Sequence, residues 1–174
     1  MSETSASRLP AVDVDVRQIY VLPGDVKATA APTRYVTILG SCVAVCLYDP
    51  VRRVGGINHF LLPGPPPAGE REPLRWGEAS IAALFEQVLG FGANQRFLQA
   101  KIFGGAQISP REVPGQFRIG ERNVELALAE IKRRGVELRN RSVGGHTGLK
   151  IAFESHTGMV WVKELTRNPK ETGE

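Results

Sequence analysis

Cysteine is scarce in this chain: Cys42 and Cys46 are the two in 174 residues. Four positions apart on one extended strand, their Cα atoms would lie too far from each other for a disulfide. With only three scattered histidines beside them, they form no zinc-binding spacing, and no metal site is expected. These absences point to a reduced chain of the cytoplasm. No run of about 18 apolar residues occurs, so no membrane insertion is expected. Met1 to Pro10 lacks the basic and then apolar segments of a secretory signal. A dominant charge is missing as well: 22 Lys and Arg against 18 Asp and Glu leave a formal net charge of +4. The one basic cluster, Lys132-Arg133-Arg134, suits the C-terminal end of a helix. No interleaving of aromatic and basic residues marks a nucleic-acid-binding sheet, so nucleic acid is not an expected partner.

What the chain does contain is turn formers and short apolar runs. Nineteen glycines and twelve prolines favour a strand-containing fold over a helical bundle. Strands are expected over 18–22, 34–39, 43–48, 54–62, 97–103, 136–143, 149–154 and 159–165. Ile81, Leu84, Phe85 and Val88 fall at helical spacing, as do Val124, Ala127, Leu128 and Ile131. The helices interrupt the strands without alternating with each one. That predicts an α/β fold of α+β character, a layered sandwich of mixed or antiparallel sheet with two or three helices. Residues 1–14 are expected to be a disordered extension, 15–166 one domain, and 167–174 a flexible tail. Pro63 to Pro73 holds five prolines and reads as a long connection, either covering a site or inserted at the surface.

Two stretches carry candidate chemistry. Leu39-Gly40-Ser41-Cys42-Val43 runs a polar glycine step into a strand, and Gly56-Ile57-Asn58-His59-Phe60 returns along the next. If Tyr48 pairs with Arg53 across a loop of residues 49–52, Cys42 stands directly opposite His59. A thiol beside an imidazole can act as a nucleophile with its base, and the imidazole can then protonate a leaving amine. Amides around Gly40 and Ser41 could hold an oxyanion. The same residues also fit a buried core thiol and a hydrogen-bonded strand histidine, and spacing alone favours that inert reading. Cys46 reads as core, and Phe103, before Gly104-Gly105, as packed or as a partner contact.

The segments Leu39-Gly40-Ser41-Cys42-Val43-Ala44-Val45-Cys46-Leu47-Tyr48-Asp49 and Gly55-Gly56-Ile57-Asn58-His59 resemble the signature of the CheD chemoreceptor glutamine deamidases. The resemblance continues through Lys101-Ile102-Phe103-Gly104-Gly105-Ala106, Ile119-Gly120-Glu121-Arg122-Asn123, Gly144-Gly145 and Gly158-Met159-Val160-Trp161-Val162-Lys163. It departs at Leu149, where the family usually has arginine. It implies a protein-glutamine glutaminase that converts glutamines of methyl-accepting chemotaxis receptors to glutamate. It also implies a sandwich fold shared with toxin-type cysteine deamidases. Cys42 would be the nucleophile, His59 the base and acid, and Thr37 a third catalytic residue. No cofactor is implied, and a CheC-type phosphatase is an implied partner. Two other readings use the same residues: a non-catalytic adaptor regulating such a phosphatase, and another Cys/His hydrolase.

Overall fold

The computed structural model describes residues 16–108 and 118–166. The expected extension 1–14 and tail 167–174 lie outside the described residues. Nine strands occur there: β1 Arg17–Tyr20, β2 Val26–Thr29, β3 Thr33–Leu39, β4 Val43–Asp49, β5 Val54–Asn58, β6 Gln99–Gly104, β7 Glu137–Val143, β8 Gly148–Glu154 and β9 Val160–Leu165. Two α-helices, α1 Gly77–Gly90 and α2 Ile119–Arg133, interrupt them.

The strands form two sheets, one of order β1-β3-β8-β9 and one of order β2-β5-β4-β6-β7. The β1–β3 and β6–β7 pairs are parallel and the others antiparallel. The alternation of β4 explains the layering. Val43, Val45 and Leu47 pack with Ile81, Leu84, Val88, Ala127 and Ile131 of the two helices. Ala44 and Cys46 pack the other way, with Tyr35, Leu39, Ile151 and Phe153 of the four-stranded sheet. The central sheet is therefore buried on both faces, between the helices and the second sheet. This is the layered α/β sandwich expected from the sequence.

Three expectations need correction. The β4–β5 hairpin pairs Asp49 with Val54, so its loop is residues 50–53. The cause is the Asp49 side chain, whose Oδ1 accepts the Val51 and Arg52 amides at 2.8 and 3.0 Å. Arg53 takes the left-handed conformation (φ 54°) that closes the loop. Moving the loop by one residue shifts the register by two, which keeps every side chain on its expected face but sets His59 level with Ala44. The expected strand 54–62 also ends early, at Asn58, leaving an isolated bridge between Val43 and Phe60. Phe103 is no surface contact. It is 1% exposed, because β6 turns it toward the inter-sheet core with Cys46 and Ile57.

Strand β2 was not apparent in the sequence, since four residues including Lys27 carry too weak an alternation. It matters because the turn that holds His59 leads directly into it.

Candidate active site

The end of the inter-sheet core nearest the β3–β4 connection gathers the candidate residues. Thr37 shares the inward face of β3 with Tyr35 and Leu39. His59 follows Ile57 on the inward face of the returning chain, and Cys42 packs against the same inter-sheet cluster. Cys42 and His59 flank the Val43–Phe60 bridge as diagonal neighbours, a relation that ordinarily separates Cβ atoms by about 7–8 Å, within reach of an imidazole.

The backbone of His59 is held by the Pro23-Gly24-Asp25 turn. The Gly24 amide donates to His59 O at 2.8 Å, and the His59 amide donates to Asp25 O at 3.1 Å. Its ring is oriented by the other sheet: Thr37 Oγ1 lies 2.8 Å from His59 Nδ1 and 2.7 Å from the Val21 carbonyl. That carbonyl can only accept, so the threonine proton points to Val21 and the hydroxyl oxygen accepts from Nδ1–H. The neutral ring therefore carries its lone pair on Nε2, which is buried and has no partner among the described residues. Burial lowers the His59 pKa from 6.5 to about 4, against the Val21 backbone contact and the Asp25 charge, which raise it. The Cys42 thiol is pushed up by burial, and its own backbone amide and the Arg75 guanidinium pull it back. A thiol and a neutral imidazole is thus the resting state. Cys46 is fully buried and raised further, an inert core thiol.

The turn that carries Cys42 is tied inward by its carbonyls. Gly40 O accepts from Ala106 N at 2.9 Å, Cys42 O from Gly105 N at 2.8 Å, and Ser41 O from Asn123 Nδ2 at 3.0 Å. Among the described residues no other residue accepts from the Ser41 or Cys42 amide. Ser41 is exposed and Cys42 half-buried, so these amides and the thiol lie together at the surface end of the core. The close docking requires Gly104: at φ +102° and with the Cys42 carbonyl where a Cβ would stand, no other residue fits without moving the turn.

Sequence reasoning missed Asn123 and Arg75. Gly120, Asn123, Val124, Ala127 and Ile131 form the buried face of α2. A polar residue inside that apolar stripe was the available signal. Arg75 is delivered by the proline-rich connection, whose base is closed where the Leu61 and Leu62 amides donate to Arg75 O at 2.9 and 3.1 Å. Nothing in local composition marks that return. Among the described residues no three His, Cys, Asp or Glu side chains cluster as metal ligands would. No helix there is long and apolar enough to cross a membrane.

The His59 shift has a consequence for stability. The unfolded chain takes up this proton near pH 6.5 and the folded chain only near 4, so stability is complete above 6.5 and lost as pH falls toward 4. Between about pH 7 and 5 the loss is about 2 kcal/mol. Urea unfolding at both pH values should show it, and the His59→Gln variant should show a correspondingly smaller difference.

Fold and site together define a layered α/β protein with a thiol, an imidazole and a hydroxyl on the facing surfaces of its two sheets. A family model described as CheD chemotactic sensory transduction matches residues 61–164. A protein named probable chemoreceptor glutamine deamidase CheD 1, from Anaeromyxobacter dehalogenans (strain 2CP-C), is 44% identical over 153 residues, 85% of each chain. Probable chemoreceptor glutamine deamidases CheD from Rhodospirillum rubrum and Desulfitobacterium hafniense (strain DSM 10664 / DCB-2) are 39% and 36% identical, over 84% of this chain and 81% and 92% of theirs. The chain belongs to the CheD family. The family-model match begins after His59, whereas an alignment over 85% of 174 residues necessarily spans Thr37, Cys42 and His59.

Proposed function

We propose that this protein is a chemoreceptor glutamine deamidase, a protein-glutamine glutaminase of the Cys–His type acting at the cytoplasmic side of methyl-accepting chemotaxis receptors. The names of its relatives supply the substrate class. The observation that carries the mechanism is the tautomer of His59, whose Nδ1 proton is committed to Thr37 while Nε2 stays free to act as a base.

Cys42 gives its proton to His59 Nε2 as Sγ attacks the side-chain carboxamide carbon of a receptor glutamine. The Ser41 and Cys42 amides donate to the oxyanion that forms. His59 returns the proton to nitrogen, the C–N bond breaks and ammonia leaves, with Cys42 now in a thioester. Water gives a proton to Nε2, adds to the thioester carbon and expels the thiolate, which recovers its proton. The product is glutamate, one negative charge more than the substrate. In this reading the formal +4 charge aids approach to an acidic receptor surface. It includes a CheC-type phosphatase as partner, in contact with residues other than the buried Phe103.

Incubation with a receptor cytoplasmic fragment, followed by peptide mass mapping, tests the proposal. Glutamine-to-glutamate conversion with ammonia release and an uncut chain is expected. Chain cleavage, or receptors left unmodified by folded protein, would sink it.

A further inference from the structure

We propose that Asn123 is a positioning residue for this reaction, a two-proton amide fork that sets the Cys42 turn against the segment following His59. The inference rests on the reading that Cys42 and His59 are the reacting pair.

The hairpin is weakly laddered where that pair sits. Regular β4–β5 pairing stops at Cys46 and Ile57. At the next step the Val45 amide donates to Asn58 Oδ1 at 2.7 Å, so a side chain replaces the strand carbonyl. Beyond it only the Val43–Phe60 bridge joins the two segments directly, with N–O distances of 3.1 and 3.0 Å. Past the bridge, Ser41 and Leu61 both present carbonyls. Two acceptors cannot pair, and they need a donor with two protons between them.

Asn123 supplies that donor. Its Nδ2 lies 3.0 Å from Ser41 O and 2.9 Å from Leu61 O, which assigns both amide protons. One carbonyl immediately precedes Cys42 and the other lies two residues after His59. The side chain is fully buried and comes from α2, whose Gly120 lies backbone to backbone against Gly105, the residue that holds Cys42 O. The fork is therefore mounted on the same support as the nucleophile turn. A lysine or arginine could also offer two protons, but would bury a charge beside the thiol.

Asn123→Ala and Asn123→Ser test this with two readouts: turnover of a receptor fragment, and the alkylation rate of Cys42 by iodoacetamide in the native protein. Cys46 is fully buried, so alkylation reports on Cys42. For Asn123→Ala, kcat should fall about ten- to a hundredfold with KM changed less than about twofold, and alkylation near neutral pH should slow by about fivefold or more. Asn123→Ser keeps one proton donor and should lose less on both. Folded variants that alkylate within about twofold of the parent rate overturn the proposal. Loss of folding in both variants overturns it too, because the residue would then be a general stabilising one. A Cys42→Ala control separates the questions: if it still deamidates receptors, the catalytic reading itself has failed, whereas an inactive control beside unaffected Asn123 variants refutes the positioning role alone.

Discussion

Replacing Cys42 by alanine should abolish receptor deamidation, lowering kcat/KM by more than about a thousandfold, while the protein stays folded. The proposed mechanism makes this thiol the nucleophile and His59 Nε2 its base, and Cys42 is half-buried at the rim of the sheet interface, not inside it. Truncating it removes one sulfur atom from a place that solvent already reaches, so the stability cost should be below about 1 kcal/mol. Mass mapping of a receptor fragment against parent and variant, with thermal melts of both, measures the two quantities. Cys46→Ala gives the contrast. It empties a fully buried position between Ala44 and Ile57 in the inter-sheet core, so it should lower the melting temperature and leave turnover of the folded protein intact. Persistent deamidation by Cys42→Ala would remove the thioester mechanism altogether.

The second large effect belongs to His59. His59→Gln keeps a polar side chain beside Thr37 but cannot take and return a proton, and should cost about a hundred- to ten-thousandfold in kcat. Thr37→Val should be milder, near ten- to a hundredfold, because it leaves the base present and loses the hydrogen bond that fixes its tautomer together with the one to the Val21 carbonyl. In the parent protein the acid limb of kcat/KM should fall near pH 4 to 5, below the ordinary histidine range, since His59 stays neutral down to about 4. A limb near 6.5 would mean that another group is the base.

Much of this was legible because periodicity reports burial. The apolar stripes of α1 and α2 and the runs of β3, β4, β6 and β8 stand where spacing puts them. Cys42 and His59 share a face because that face depends on parity, which the shifted turn preserved. The register itself was hidden in one side chain, since Asp49 captures two amides and moves the loop along the chain. The Thr37–His59 contact was hidden for a different reason. It joins the facing surfaces of two sheets, and no strand period encodes how sheets stack. The sequence leaves Phe103 open in the same way: its place before two glycines allows a partner contact, yet it is packed, because the strand is internal to its sheet and both its faces are covered. Asn58 and Asn123 use side-chain amides where backbone pairs would ordinarily serve; the place of Asn123 inside an apolar stripe hints at burial, but not at which carbonyls it meets.

The division of the site between two sheets has a consequence for the order of events during synthesis. Cys42 and His59 leave the ribosome early and lie on one hairpin. Thr37 lies on β3, whose partners are β1, four residues long, and β8, residues 148–154. Until β8 has emerged, β3 has only that short parallel partner, and the surface that orients the imidazole is unfinished. Before β8 pairs with β3, the hairpin can hold the thiol and the histidine on one face while Thr37 still lacks its long-range support. That support comes from contacts spanning some 120 positions (Arg34 with Glu154 is one), which form slowly because the loop they close is long. Orientation of the His59 ring by Thr37 therefore depends on contacts between parts of the chain far apart in sequence.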